Sequence, residues 1–258
     1  MSSAIWTPTA LSSEARPYGG KGWRLVEAQH RVSTLRLVDT LAEQALLEAV
    51  LEETKPPMPA ECTGLDYLFY TPFRYRPYPH GSRFRRAGLT PGVWYGSERV
   101  ETALAEMVFY RFLFYADSPT TPFPDQAAEY TGFSARIEGA SLDLASPPLN
   151  RDAAHWTEVT DYTACQALAD AARAADIAII RYLSVRDARR GANLAILTCS
   201  TFAKPVPIDR QTWRIRIGRF GAQALREHPD RRLEFGRDSF MADPRLAALN
   251  WDRSLPKH

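Results

Sequence analysis

The chain carries almost no excess charge of either sign. Its 258 residues include 32 lysines and arginines against 30 acidic residues, a net charge of +2. A general binder of nucleic acid or anionic membrane has a strong basic surplus, so direct nucleic-acid or membrane binding is not expected. Lysine occurs only at Lys21, Lys55, Lys204 and Lys257, so the cations are mostly arginines, which suit bidentate phosphate contacts. Cysteine is scarce: Cys62, Cys165 and Cys199 lie far apart without C-x-x-C spacing. Neither a disulfide framework nor a zinc site is expected from them, but rather small, reduced, buried residues in a cytoplasmic protein. No apolar run approaches the roughly 18 residues that cross a bilayer. The stretch up to Trp23 lacks the charged start and apolar core of a signal peptide. The histidines show no H-E-x-x-H spacing, and no metal is expected. Neither G-x-G-x-x-G nor a P-loop occurs, which argues against a Rossmann sheet.

What is present is a mixture of short strands and helices. Residues 1–21 read as a surface arm and Trp23–Val26 as a short strand. Thr40 and Glu43 form a capping box for a helix with Leu46, Leu47, Val50 and Leu51 on one face, ending before Pro56. The proline- and aromatic-rich stretch 56–80 reads as an ordered loop, and 92–95 as a strand. A helix is expected over 98–115 and a strand over 130–144. A second helix follows Asp161, with Cys165, Leu168, Ala169 and Ala172 on one face. The runs 177–183 and 192–199 form a hairpin about the polar turn 186–191. Further strands are expected at 213–217 and 232–240, and a short helix from Asp243. The order is not a regular βαβ alternation. It predicts an α+β fold, a bent and mostly antiparallel sheet core flanked by helices. Residues 1–65 read as an N-terminal extension with one helix packed on the core, and 66–258 as the main domain with a C-terminal extension.

Residues 81–106, GSRFRRAGLTPGVWYGSERVETALAE, hold the strongest chemical signal. Arg83 sits in a loop bounded by Gly81 and Gly88, where a guanidinium could grip a diphosphate; a solvated structural arginine is the alternative. Tyr95 closes a strand and could stack on a heterocycle or hold a ribose, or be a plain core tyrosine. Glu106 is a carboxylate among Ala103, Leu104, Ala105, Met107 and Val108, costly to bury unless paired or used. Its bland readings are exposure or a pair with Arg99 or Arg111. Ser200 ends the apolar strand beginning at Asn193, either at a site mouth or as a turn cap. His80 adjoins the loop.

These elements, GSRFRRAG, VWYGSE, TALAE and LAILTCS, resemble the RES domain of bacterial toxin–antitoxin systems, over about residues 66–202. Its members commonly read G-x-R-W-N-x-x-G, a strand ending in Tyr, A-x-x-E on a helix and a late strand ending in Ser. This chain departs at Phe84 and Arg85, which replace Trp and Asn, and at Cys199, before Ser200, where proline is common.

The resemblance implies a fold similar to ADP-ribosyltransferase toxins, with 66–258 as a RES-like, NAD-binding catalytic domain. NAD is then a substrate, with inorganic phosphate as a candidate co-substrate. Glu106 would stabilise an oxocarbenium-like transition state, Arg83 hold the diphosphate, Tyr95 orient the nicotinamide ribose, and Ser200 bond the ligand from the opposite side. A second basic group for phosphate would come from Arg24, Arg31, Arg74 or Arg186, and Arg24 and Arg31 are expected among the ligand-binding residues. NAD phosphorolysis leads, or NAD hydrolysis. The alternatives are protein ADP-ribosylation and an inactive partner of a regulator. An Xre-like helix-turn-helix antitoxin is the implied partner, and a homo-oligomer is compatible with the sequence.

Overall fold

A computed structural model describes residues 6–27, 37–75 and 78–252. Its sheet is organised around one long strand. The strands are β1 (Arg16–Glu27), β2 (Trp94–Ser97), β3 (Ala128–Asp143), β4 (Ile179–Leu183), β5 (Ala192–Ile196), β6 (Asp209–Gly218), β7 (Gly221–Arg226) and β8 (Arg231–Gly236). Along one edge of β3 lies β1, antiparallel from Arg16 opposite Ser141 to Glu27 opposite Tyr130. The other edge is shared: β6 pairs antiparallel with its first half and β4 parallel with its end. The order β1–β2–β5–β4–β3 returns to β1, so five strands close into a ring, the β1–β2 closure resting on the single pair Trp23 and Ser97. From β3 the sheet continues as the meander β6–β7–β8. The sheet is thus bent and mostly antiparallel, β3–β4 being the one parallel pairing among the described strands.

The helices are α1 (Pro8–Glu14), α2 (Leu41–Glu53), α3 (Tyr67–Arg74), α4 (Val100–Asp117), α5 (Ala153–Trp156), α6 (Thr163–Ala174) and α7 (Pro244–Ala247). Helix α4 buries Leu104, Val108, Phe109 and Phe112, spaced by four, one and three, against β1, β6 and β7. Each such side chain contributes about 1.5–3 kcal/mol on full burial. On α6 the predicted face is the buried one: Cys165, Leu168, Ala169 and Ala172 all face the core. The β4–β5 hairpin forms with Leu183 opposite Ala192. Because helices cover both its faces, β5 is buried throughout rather than alternating, with Asn193 its one polar residue.

Several expectations are corrected. From Trp6 onward the N-terminal arm is built into the fold: Leu11 of α1 is wholly buried, and β1 starts at Arg16. Thus β1, inside the expected extension, is a stave of the ring. The Thr40–Glu43 capping box forms, yet α2 buries nothing; Leu46 and Val50 stay exposed. Helix α3 replaces the expected loop despite Pro72. Proline cannot donate to the Leu68 carbonyl four residues back, and Trp94 Nε1 donates to it instead at 3.2 Å. The meander contains β7, which was not anticipated, while β8 stops at Gly236 and a 3₁₀ turn spans Arg237–Phe240. Cys62 and Cys199, expected to be reduced, form a disulfide. Their positions 137 residues apart hide that Ala60–Cys62 and Cys199–Thr201, both 3₁₀ turns, pack together. Cys165 is free and buried.

Candidate active site

Strand β5 runs antiparallel to both β2 and β4, so the C-terminal ends of β2 and β4 meet the N-terminal end of β5 at one mouth of the ring. The polar residues there form a chain. Ser97 Oγ donates to Asn193 Oδ1 at 2.6 Å, and Asn193 Nδ2 donates to Glu106 Oε1 at 2.6 Å. Ser184, just past β4, donates its Oγ to the same carboxylate oxygen at 2.7 Å. The Ser184 oxygen in turn accepts the backbone N–H groups of Arg186 and Asp187. Both donors to Glu106 are therefore held by the ends of rigid strands. Glu106 Oε2 makes no hydrogen bond among the described residues. The bland readings do not apply: Arg99 lies beside Glu101 and Arg111 beside Glu27, and Glu106 is half-buried.

Glu106 lines a cavity of about 380 Å³, and so do Arg83, Tyr95 and Arg24. The Arg83 loop is pinned from two sides. The Tyr95 hydroxyl bonds Ser82 Oγ at 2.8 Å and accepts the Phe84 backbone N–H at 2.9 Å. Gln166 of α6 donates to the Ser82 carbonyl at 3.0 Å. Gly88 closes the loop at φ +91°, which a side chain would strain. Phe84 is buried edge-on against Tyr182, with centroids 4.9 Å apart. Burial pushes the Tyr95 and Tyr182 hydroxyls above the usual phenol range, so both remain neutral donors and acceptors near pH 7.

The arginines differ in what they have left to offer. Arg83 is buried, donates to the Trp156 carbonyl at 2.8 Å and lies over the Tyr162 ring. Arg74 is committed to Glu52 and the Pro56 carbonyl. Arg24 and Arg85 both line the cavity, and each has a solvent-shielded Nη1 without a partner. Among the described residues only one other buried side-chain polar atom, Ser134 Oγ, is in that position. Desolvation pulls the Arg24 guanidinium down to about 10, the mark of a buried cation short of partners. Two guanidinium groups that line one cavity, each with a donor that no protein group takes, suit an oxyanion such as a diphosphate. Arg31 lies outside the described residues.

Ser200 is not with this group. It is exposed, in a 3₁₀ turn beyond the C-terminal end of β5, whereas Asn193 begins that strand at the cavity mouth. A strand's two ends lie at opposite ends of the ring, so Ser200 cannot reach the carboxylate. The serine that touches Glu106 is Ser184. Sequence reading missed it, along with Asn193, Tyr182 and the cavity role of Arg85. The available signal was antiparallel pairing of the predicted hairpin, which sets residue 193 opposite 182 and so diagonal to 184.

Among the described residues no group of His, Cys, Asp and Glu could hold a metal ion, and no helix is long and apolar enough to cross a membrane. No curated protein matches the chain. Among solved structures it is similar to a chain of the M. tuberculosis MbcT–MbcA toxin–antitoxin complex, at 12% identity and a TM-score of 0.41, covering 88% of this chain and 90% of that one. The sequence profile of the RES domain matches residues 58–217, which include the Arg83 loop, Tyr95, Glu106, Ser184 and Asn193. That match takes in more than half of the chain, and the chain belongs to the RES domain family.

Proposed function

We propose that the cavity binds NAD and cleaves its nicotinamide–ribose bond. The observation that carries this reading is the state of Glu106. One carboxylate oxygen is fixed by Ser184 and Asn193, while the other makes no hydrogen bond among the described residues, and arginines and tyrosines are prominent in the cavity lining around it. Breaking an N-glycosidic bond builds positive charge on the ribose, and a preorganised carboxylate stabilises that charge. Arg24 and Arg85 would take the diphosphate through their open donors, with Arg83 behind them as a fixed positive charge. Tyr95 would face the nicotinamide ribose while its hydroxyl holds the Arg83 loop. Because β1 carries Arg24 into the cavity, the stretch 1–65 is not dispensable on this reading.

The acceptor would be inorganic phosphate: of the four arginines that line the cavity Arg186 is paired with Asp243, and the other three against the one carboxylate, Glu106, leave positive charge for a second anion. The test is incubation of the purified protein with NAD, with and without phosphate. Release of nicotinamide and ADP-ribose 1″-phosphate only with phosphate supports phosphorolysis. Free ADP-ribose in both arms makes the enzyme a hydrolase, and label carried from NAD onto protein makes it a transferase. Intact NAD in every arm overturns the reading and leaves an inactive binding partner. The proposed protein partner is an antitoxin with a helix-turn-helix domain that covers the cavity; a neighbouring reading frame of that type, co-purified with this chain, should block NAD turnover.

A further inference from the structure

The RES domain match ends at residue 217, but the hydrogen-bonded seat of Glu106 is tied to a residue beyond it. Asp243 is wholly buried and caps α7. Its Oδ2 lies 3.0 Å from Arg186 Nη1 and 2.7 Å from Arg245 Nη2, and its Oδ1 accepts the Arg245 backbone N–H. Arg186 is itself 5% exposed and lines the cavity. Its guanidinium is held on three sides: by Asp243, by the Val159 carbonyl at 2.7 Å and by the Phe109 ring at 3.7 Å. Phe109 lies on α4 three residues after Glu106. The Arg186 backbone N–H bonds the same Ser184 oxygen that donates to Glu106. A continuous set of contacts therefore runs from the C-terminal segment to the carboxylate.

We propose that Asp243 is a positioning residue, through which the C-terminal segment locks Arg186 and with it the Ser184 turn that seats Glu106. This rests on the proposed function for its effect on turnover, but not for its effect on the turn. A guanidinium deprived of Asp243 would be an unpaired cation in the wall of a cavity whose carboxylate is Glu106. It would turn towards that carboxylate and take its Ser184 bond with it. A buried ion that loses its partner is strongly driven to find another.

The test compares Asp243→Asn, Asp243→Glu and Leu246→Ala with the wild type, by hydrogen exchange and by NAD kinetics. Leu246 is wholly buried in the same helix but does not line the cavity, so its truncation should loosen α7 while keeping the Asp243 carboxylate. In Asp243→Asn the backbone amides of Arg186 and Asp187 should exchange about tenfold faster and kcat fall about tenfold or more, with KM for NAD little changed. Asp243→Glu should recover part of both, and Leu246→Ala should leave both near the wild-type values. Unchanged exchange in Asp243→Asn overturns the proposal whatever the protein does to NAD. Faster exchange with unchanged kcat overturns the link to Glu106, as does an equal effect of Leu246→Ala. If the wild type leaves NAD intact, the reading of the reaction has failed and the exchange arm alone decides the clamp.

Discussion

Glu106→Gln is the sharpest perturbation this site allows. The glutamine amide oxygen can still accept from Ser184 Oγ and Asn193 Nδ2, the two bonds that fix Glu106 Oε1. The substitution therefore removes charge and little else. A unit charge about 4 Å from a developing ribosyl cation, at an effective dielectric near 20, is worth about 4 kcal/mol. That corresponds to roughly a thousandfold in rate, at 1.36 kcal/mol for each factor of ten. In the proposed binding mode NAD would present its diphosphate to the arginines, not to Glu106, so binding should change little. The assay is nicotinamide release under saturating NAD, with NAD affinity by calorimetry and the unfolding midpoint alongside. The expected result is a fall in kcat of about three orders of magnitude with Kd and Tm nearly constant. A folded Glu106→Gln protein that keeps turnover within about tenfold would refute the electrostatic role. An equal loss of binding and rate would make Glu106 a ground-state contact rather than a transition-state one.

Other outcomes follow from the same geometry. Arg24→Met and Arg85→Met should each raise KM for NAD by about ten- to a hundredfold, the worth of one charge-assisted hydrogen bond, with kcat less affected; kinetics at varied NAD check it. Ser184→Ala strands the N–H groups of Arg186 and Asp187 as well as removing a donor to Glu106, so it should lower Tm as well as kcat, whereas Ser200→Ala should change neither. Opening the Cys62–Cys199 bond with reductant should destabilise the fold by up to about 4–5 kcal/mol for a loop of this size, read as a shift in the chemical-denaturation midpoint. Burial raises the Tyr95 and Tyr182 values above those of the unfolded chain, so the stability they contribute is complete below pH ~10 and declines as pH rises towards the folded values; denaturation midpoints between pH 8 and 11 should fall, less so in Tyr182→Phe.

Local rules recovered the elements whose cause is local. The capping box at Thr40, the apolar face of α6 and the tight β4–β5 hairpin each depend on residues within a turn or two of one another. The failures have non-local causes. Helix α3 survives Pro72 because Trp94, from another element, takes the abandoned carbonyl. The length of β1 is set by β3, more than a hundred residues on, which offers it a partner from Arg16 to Glu27. The disulfide depends on two short turns meeting across the fold. The exposed leucines of α2 show the converse: periodicity gives a helix its face, but says nothing of whether anything packs against it.

The exchange of Ser200 for Ser184 has the same origin and carries the more general point. Both serines follow an apolar strand of the same hairpin, and in one dimension they look alike. Antiparallel pairing separates them, because it sends the ends of successive strands to opposite mouths of the ring. Glu106 faces the mouth formed by the ends of β2 and β4 and the start of β5, so the polar residues at those three positions are the ones that hold it: Ser97 by way of Asn193, Asn193 and Ser184. A test of that topology needs no assumption about the substrate. In a Glu106→Asp protein the shortened carboxylate should withdraw from both donors, and the side-chain amide signals of Asn193 should move while residues around Ser200 keep their wild-type shifts. Movement at Ser200 with none at Asn193 would mean that the carboxylate faces the other mouth, and every role assigned from this ring would have to be drawn again from that end.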